Sequence, residues 1–382
     1  MTTAAHTAVD RRRLRKLIEE ESARFVAGHP RSRAAFDRAR RSLLGGVPMS
    51  WMDRWPGGFP VVLDHAEGAR VTDIDGRAYV DFCLGDTGAM AGHAPAPTAR
   101  AVEARMRRGV TAMLPTEDSV WVAEELQRRF GLARWQFTLS ATDANRFAIR
   151  LAREITRRPK VLVFNYCYHG TVDETFAVLS DGGVVARAHN IGPPVDPAVT
   201  TRVVEWNDVD GLERELAHGD VACVLAEPAL TNIGIVLPKP GYHDALRELT
   251  RHTGTLLIID ETHTMSTGPG GYTRANGLRP DMLTVGKALA GGIPIGAFGM
   301  TEEVAGRVER AEMDDTGGVG GTLAGNALSM AAARATLEHV LTGEAYARMI
   351  PLAARFVAGV EDVIAERALP WHIVQLGARA EY

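Results

Sequence analysis

Hydrophobic positions along the chain change their period twice. Between residues 8 and 44 apolar residues stand among Arg and Glu at helical spacing, with Leu14, Ile18 and Phe25 on one face. That spacing predicts a helical arm packed on the body or on a partner chain, the first ten residues serving equally well as a frayed tail. From 61 to 84 the period drops to two. VVLDHAEGARVTDIDGRAYVDFCL alternates apolar and polar residues, and Asp75-Gly76 is the expected turn between two strand-like halves of a small antiparallel sheet. From 135 to 300 short apolar runs closed by turn residues alternate with helical stretches. The runs in WQFTLS, VLVF, VACVLA, LLII, MLTV and IPIGAFGM predict strands of a parallel α/β sheet. Helices are expected near 97–108, 117–130, 241–253 and 351–367, with an Ala-rich helix after the Gly-rich stretch at 317–322 and a strand opening in WHIVQL.

These textures divide the chain into three parts. Residues 1–84 hold an N-terminal arm and part of a small domain, 85–323 a large domain, and 324–382 the rest of the small α+β domain, cut short at its end. The Gly- and Pro-rich loop at 45–60 carries Trp51 and Trp55, which are expected to pack in a core or interface rather than line a pocket.

In open parallel sheets chemistry collects at the carboxyl ends of the strands. LLII runs into Asp260 and MLTV into Gly286-Lys287, so an acid and an amine are expected at one sheet edge. The amine is notable because the chain has four lysines against 39 arginines, and only Lys supplies a deprotonatable primary amine. WQFTLS runs into Ser140, Ala141 and Thr142 at the start of a helix, which is either an anion site or a plain N-cap. VLVF leads to Tyr168 and His169, and VACVLA to Glu227 with Asn232 beyond it.

A ligand using all these groups has a phosphate, a flat ring, a basic ring nitrogen and an aldehyde. Pyridoxal 5'-phosphate fits: the helix start takes the phosphate, an aromatic stacks on the ring, a carboxylate keeps the pyridine nitrogen protonated, and a lysine condenses with the aldehyde. Other fingerprints fail. Asp281 stands where a phosphate-loop glycine belongs and Ala288 where its Ser or Thr belongs, GGVGGT follows no strand, and neither GxSxG nor HExxH occurs. A net charge of -4 gives no case for nucleic acid or an anionic membrane. Three scattered cysteines, Cys83, Cys167 and Cys223, argue against a zinc site and for a reducing cytoplasm.

The ordered set GARVTDIDGRAYVDF, SATDAN, YHG, AEPALTNIG, IIDETHT, TVGKALAGGIPIGA and GGTLAGNALSMAAA resembles the class III (omega-type) aminotransferases of fold type I, and most of all their glutamate-1-semialdehyde aminomutase branch. The resemblance implies a mostly parallel sheet in a large domain with a smaller α+β domain. It implies that Lys287 forms the Schiff base and shuttles a proton, and that Asp260 pairs with the pyridine nitrogen. Ser140, Ala141 and Thr142 would hold the phosphate, Tyr168 would stack on the ring and Thr262 would lie on its other face. Glu227 and Asn232 would line the pocket. Thr322 would reach the phosphate of a neighbouring subunit, which implies a homodimer with shared sites. Three departures stand out. Ala141 replaces a glycine; Thr262 and His263 replace Val and Gln or Met; and the family runs several tens of residues past Tyr382. His263 would either bond the ring's phenolic oxygen or serve a structural role. The expected reaction moves an amino group between a small-molecule amino donor and a carbonyl acceptor. The alternatives are intramolecular transfer of the aminomutase type, and cofactor binding with little chemistry.

Overall fold

The computed structural model describes residues 10–193, 195–311 and 318–382. Expectations for residues 1–9, and for Gly317 at the head of the Gly-rich stretch, lie outside these. By internal contacts the chain separates into residues 1–83 and 84–382.

In the first unit α1 (Arg11–Gly28) starts at Asp10, whose carboxylate accepts the N–H groups of Arg12 and Arg13. The helical reading of 8–44 needs one correction: Pro30 divides it. With no N–H and a fixed φ, Pro30 ends one helix and opens the next, α2 (Pro30–Ala39). No residue of α1 is buried, and Leu14 and Ile18 are exposed. The alternating stretch forms three antiparallel strands rather than two, β1 (Leu63–Glu67), β2 (Arg70–Asp73) and β3 (Ala78–Val80), because Gly68 supplies a second tight turn at φ +55. The expected turn at Asp75-Gly76 is present between β2 and β3. Asp75 also accepts the N–H groups of Arg31 and Ser32, tying the turn to the start of α2. Trp51 and Trp55 are exposed, so the expectation of core packing fails for this chain taken alone.

In the second unit α3 (Ala96–Met106) and α4 (Glu117–Phe130) precede the sheet. Then come β4 (Arg134–Thr138), α5 (Ala141–Thr156), β5 (Lys160–Phe164), a hairpin of β6 (Ala177–Ser180) and β7 (Gly183–Ala186), and a short α6 (Pro197–Thr200). After these follow β8 (Thr201–Val204), α7 (Val209–Leu216), β9 (Val221–Ala226), α8 (Tyr242–Thr253), β10 (Leu256–Asp260), α9 (Gly271–Ala275), β11 (Met282–Val285) and β12 (Gly296–Met300). The rest is α10 (Glu302–Arg310), α11 (Ala327–His339), α12 (Gly343–Glu366) and a closing hairpin of β13 (Val374–Leu376) and β14 (Arg379–Glu381).

Seven strands form one sheet in the order β4-β12-β11-β10-β9-β5-β8. Every residue of β9, β10, β11 and β12 is buried, as strands covered on both faces must be. The sheet is parallel except at β12, which runs antiparallel to both β11 and β4. The parallel reading of this stretch is corrected there for a physical reason. A parallel return needs a crossover of a dozen or more residues, and only residues 286–295 join β11 to β12, so the chain can only turn back. No helix of the described residues is long and apolar enough to cross a membrane.

Candidate active site

β10 and β11 are parallel neighbours, with Asp260 opposite Thr284. Asp260 is the last residue of β10, and Lys287 lies two residues beyond the end of β11. Both line one cavity of about 510 Å³ at the carboxyl ends of the strands. The cavity also receives the start of α5 (Ser140, Ala141, Thr142), the loop after β5 (Tyr168, His169), Glu227, Thr262 and His263. All of these residues belong to the second unit.

The start of α5 has the chemistry an anion needs. Ser140 is its N-cap, its hydroxyl accepting the N–H of Asp143 at 3.2 Å. The N–H groups of Ala141 and Thr142 have no acceptor within the helix, and the positive end of the helix dipole adds to them. Three glycines let other elements approach this turn closely. A Cβ on Gly286 would lie 2.9 Å from that of Ala141; one on Gly296 would strike the Ser140 carbonyl; one on Gly170, at φ +77, would strike the Thr142 hydroxyl. Ala141 in place of a glycine thus keeps its N–H and fits against Gly286.

Asp260 is almost fully buried and held as a carboxylate. Its Oδ2 accepts from His169 Nδ1 (2.9 Å) and Asn145 Nδ2 (2.8 Å), and Oδ1 accepts the Thr262 N–H (3.0 Å). Burial raises the pKa of this carboxyl, but the bond and charge of His169, with the bonds from Thr262 and Asn145, outweigh it and bring it to about 2. His169 is pushed the other way. Burial disfavours its protonation, yet Cys167 and Asp260 beside it lift it well above its ordinary value. Asn145 is fixed in turn by the Thr284 hydroxyl, which donates to its Oδ1 at 2.6 Å. Oδ1 of Asp260 keeps an acceptor site free. Two buried side-chain atoms of the cavity have no partner among the described residues, Thr262 Oγ1 and His169 Nε2. Unpaired buried polar atoms are costly, and both residues belong to the cavity lining.

Glu227 is a buried acid of another kind. Burial raises its pKa, against the opposing effect of His169. Its oxygens accept the N–H groups of Tyr168 (3.3 Å) and Thr231 (3.1 Å) and the Thr231 hydroxyl, so it braces the loops after β5 and β9.

Lys287 sits at φ +48, a left-handed conformation that costs a non-glycine residue about 1 kcal/mol or more. Its Nζ lies 2.7 Å from Asp86 Oδ2 and 2.6 Å from His263 Nε2. Asp86 belongs to a loop in which Leu84, Asp86 and Thr87 all have positive φ, another locally strained segment at the same cavity. Burial works against ionisation of Asp86, but His263, Lys287 and Arg379 lower its pKa. Burial, then the charges of Lys287 and Arg379, push His263 down to about 3, so its imidazole is neutral.

Asn232 stands away from its expected place, and Thr322, expected to serve a neighbouring subunit, lies outside its own chain's cavity. Asn232 is exposed and donates to the Tyr166 carbonyl (3.4 Å), because the Leu230–Val236 bridge turns the intervening loop outward. Thr322 is also exposed; it lines a separate groove together with Met113. Sequence reasoning missed Asp86, Asn145, Thr284 and Arg379. For Asn145 a signal existed: it lies one turn into the helix whose start was already singled out. Asp86 comes from a distant loop and Arg379 from the closing strand β14, and neither carries a comparable mark.

Residues 51–378 match the family described as Aminotransferase class-III. A glutamate-1-semialdehyde 2,1-aminomutase of Anaeromyxobacter sp. (strain Fw109-5) is 34% identical over 356 residues, covering 91% of this chain and 81% of that protein. The crystal structure of a glutamate-1-semialdehyde-aminomutase from Pseudomonas aeruginosa PAO1 superposes with a TM-score of 0.95 at 52% identity, covering 98% of this chain and 84% of that one. A variant of that protein was crystallised in complex with PMP. An omega-transaminase from Sphaerobacter thermophilus superposes with a TM-score of 0.82 at 31% identity, covering 91% and 81%. The start of α5, the paired carboxylate and the amine fit the phosphate, ring nitrogen and aldehyde of pyridoxal phosphate. With residues 51–378 matched and relatives aligned over most of both chains, this chain belongs to the class III aminotransferases, pyridoxal phosphate-dependent enzymes of fold type I.

Proposed function

We propose that the chain moves an amino group between an amine and a carbonyl compound, with Lys287 as the amine that both holds the cofactor and carries the proton. The observation behind this reading is the delivery of Asp260 and Lys287, on adjacent parallel strands, into one cavity headed by the N-terminus of α5. When bound, pyridoxal phosphate supplies an aldehyde that condenses with amines and a protonated ring that accepts electrons from the adjoining carbon.

The chain's residues have separate tasks in this reading. Ala141 and Thr142 hold the phosphate with their N–H groups, and Ser140 keeps that turn in shape. Asp260, ionised down to about pH 2, holds the ring nitrogen's proton through the free site on Oδ1. Asn145 and His169 keep the carboxylate aimed. Tyr168 and Thr262, both in the cavity lining, would contact the two faces of the ring. Lys287 Nζ would be the amine that holds the cofactor and the group that moves a proton at the reacting carbon. Glu227 supports the pocket wall.

The names of the relatives favour transfer within one molecule, from one carbon of a substrate to the next, as in glutamate-1-semialdehyde 2,1-aminomutase. The omega-transaminase likeness supports the other reading, transfer between two molecules. Donor dependence separates them. An aminomutase turns over the semialdehyde with no external donor once loaded with the amino form of the cofactor. A transaminase stops after one half-reaction until a second substrate arrives. Purified enzyme incubated with glutamate-1-semialdehyde alone decides between them by whether product exceeds enzyme. If no amine or carbonyl compound perturbs the bound cofactor's spectrum, amino transfer itself is wrong for this chain.

We further infer a homodimer, supported by the exposure of Thr322 outside its own chain's cavity. A cytoplasmic setting is supported by three free cysteines, two of them buried.

A further inference from the structure

Arg379 opens β14 in the closing hairpin, 92 residues beyond Lys287 in the sequence, yet its guanidinium reaches His263, which lines the cavity. Its side chain is only 14% exposed. One terminal nitrogen lies 2.5 Å from His263 Nδ1. The other contacts the Thr231 carbonyl (3.2 Å) and the Glu381 carboxylate, and lies 3.9 Å from Asp86 Oδ1. On the far side of the imidazole, His263 Nε2 lies 2.6 Å from Lys287 Nζ.

The donor inventory decides how these groups bond. A guanidinium has donors and no acceptor, so the nitrogen facing it must be bare. Nδ1 of His263 is therefore the acceptor. A neutral imidazole with a bare Nδ1 carries its proton on Nε2. Nε2–H then points at Lys287 Nζ, and that bond can form only if the nitrogen presents its lone pair. We propose that Arg379 fixes the tautomer of His263, and that His263 in turn donates to the lone pair of the Lys287 amine, holding it ready for attack on a carbonyl.

The remaining neighbours fit. The Thr87 hydroxyl, 3.1 Å from Nδ1, is also within hydrogen-bond distance of the Asp86 carbonyl (2.6 Å), so it need not compete for the imidazole. The charged groups around the pair are Asp86, Asp260 and Arg379, with Glu381 behind Arg379. Asp86 accepts one N–H of the amine. Its carboxylate favours an ammonium ion, but its side chain is 62% exposed and it lies near Arg379 as well, so its pull is screened by solvent and divided between two cations. The burial and flanking charges that keep His263 neutral act in the same direction as the tautomer argument. Arg379 and His263 are positioning residues here, and the inference rests on Lys287 being the amine that takes the cofactor.

The test uses the full chain stripped of cofactor and then given pyridoxal 5'-phosphate, following the visible band that forms as the aldehyde condenses. Its rate is measured across pH for wild type, His263→Leu, Arg379→Met, Arg379→Lys and Lys287→Ala. Arg379→Met and His263→Leu should move the rate profile to higher pH, about tenfold slower at neutral pH, the equivalent of one lost hydrogen bond. Arg379→Lys, which keeps a cationic donor, should stay near wild type. Coincident profiles, or a uniform loss at every pH, overturn the proposal. Nitrogen NMR of the imidazoles in wild-type protein, with the His263 signal identified by its loss in His263→Leu, reads the tautomer directly. A proton on Nε2 supports the proposal, and one on Nδ1 overturns it even if Arg379→Met fails to fold. A band that persists in Lys287→Ala signals a different failure, that of Lys287 as the cofactor-bearing amine.

Discussion

Asp260 shows how one buried residue ties stability to chemistry. Its carboxyl is lowered from the ordinary value near 4 to about 2, so ionisation stabilises the fold above the unfolded value and that contribution is lost as pH falls through the folded one. A shift of this size is worth about 2 kcal/mol. His169 has the opposite sign: its pKa is raised, so its contribution is complete below the ordinary histidine value and is lost as pH rises through the folded one. The pair is therefore most stabilising between those limits. We expect the stability gap between wild type and Asp260→Asn to be widest there, and to narrow by about 2 kcal/mol as pH falls from about 5 to about 2 in denaturant unfolding. A gap independent of pH would remove Asp260 as the charged member of the pair. Asp260 and Lys287 were legible in the sequence because each follows an apolar run that can only be a buried strand, and because lysine is scarce here. Asp86 and Arg379 were not. One lies on a loop held by left-handed backbone, the other is one of 39 arginines, and only the folded chain brings them to Lys287.

At the scale of elements, the first turn of α5 is the feature most tightly constrained by its neighbours. Gly170, Gly286 and Gly296 come from three separate segments, and each leaves room for that turn's backbone or side chains. Gly296→Ala sets a methyl against the Ser140 carbonyl and should cost about 2–3 kcal/mol in denaturant unfolding, since a backbone carbonyl cannot swing aside. Gly286→Ala, meeting Ala141 instead, should weaken pyridoxal phosphate binding at least about tenfold with the fold retained, as measured by titration of the stripped protein. Ser140→Ala removes only the cap, so it should cost about 1 kcal/mol of stability. It should change cofactor affinity less than Gly286→Ala, because the N–H groups of Ala141 and Thr142 remain. Six of the seven strands of the sheet and the start of α5 were readable from period and composition; the edge strand β8, four residues long, was not. The direction of β12 was not, because the apolar pattern of a buried strand is the same whichever way it runs. Nor was the hairpin of β6 and β7, whose strands of four residues are too short to show a period.

At the scale of the molecule, the family match covers residues 51–378, and the cavity that holds Asp260 and Lys287 is made within residues 84–382. If Thr322 serves a partner's phosphate as proposed, sedimentation should find a dimer, and Thr322→Val should weaken cofactor binding while leaving the sheet intact. A monomer that binds pyridoxal phosphate with undiminished affinity would remove the shared site. The central claim, however, is that Lys287 is the amine on which the cofactor is held. It is tested most directly by loading the protein with pyridoxal 5'-phosphate, reducing the adduct with borohydride and locating the modified lysine by peptide mass spectrometry. The account predicts modification at Lys287 and none in Lys287→Ala. Modification at Lys16, Lys160 or Lys239, or an adduct that survives in Lys287→Ala, would contradict it.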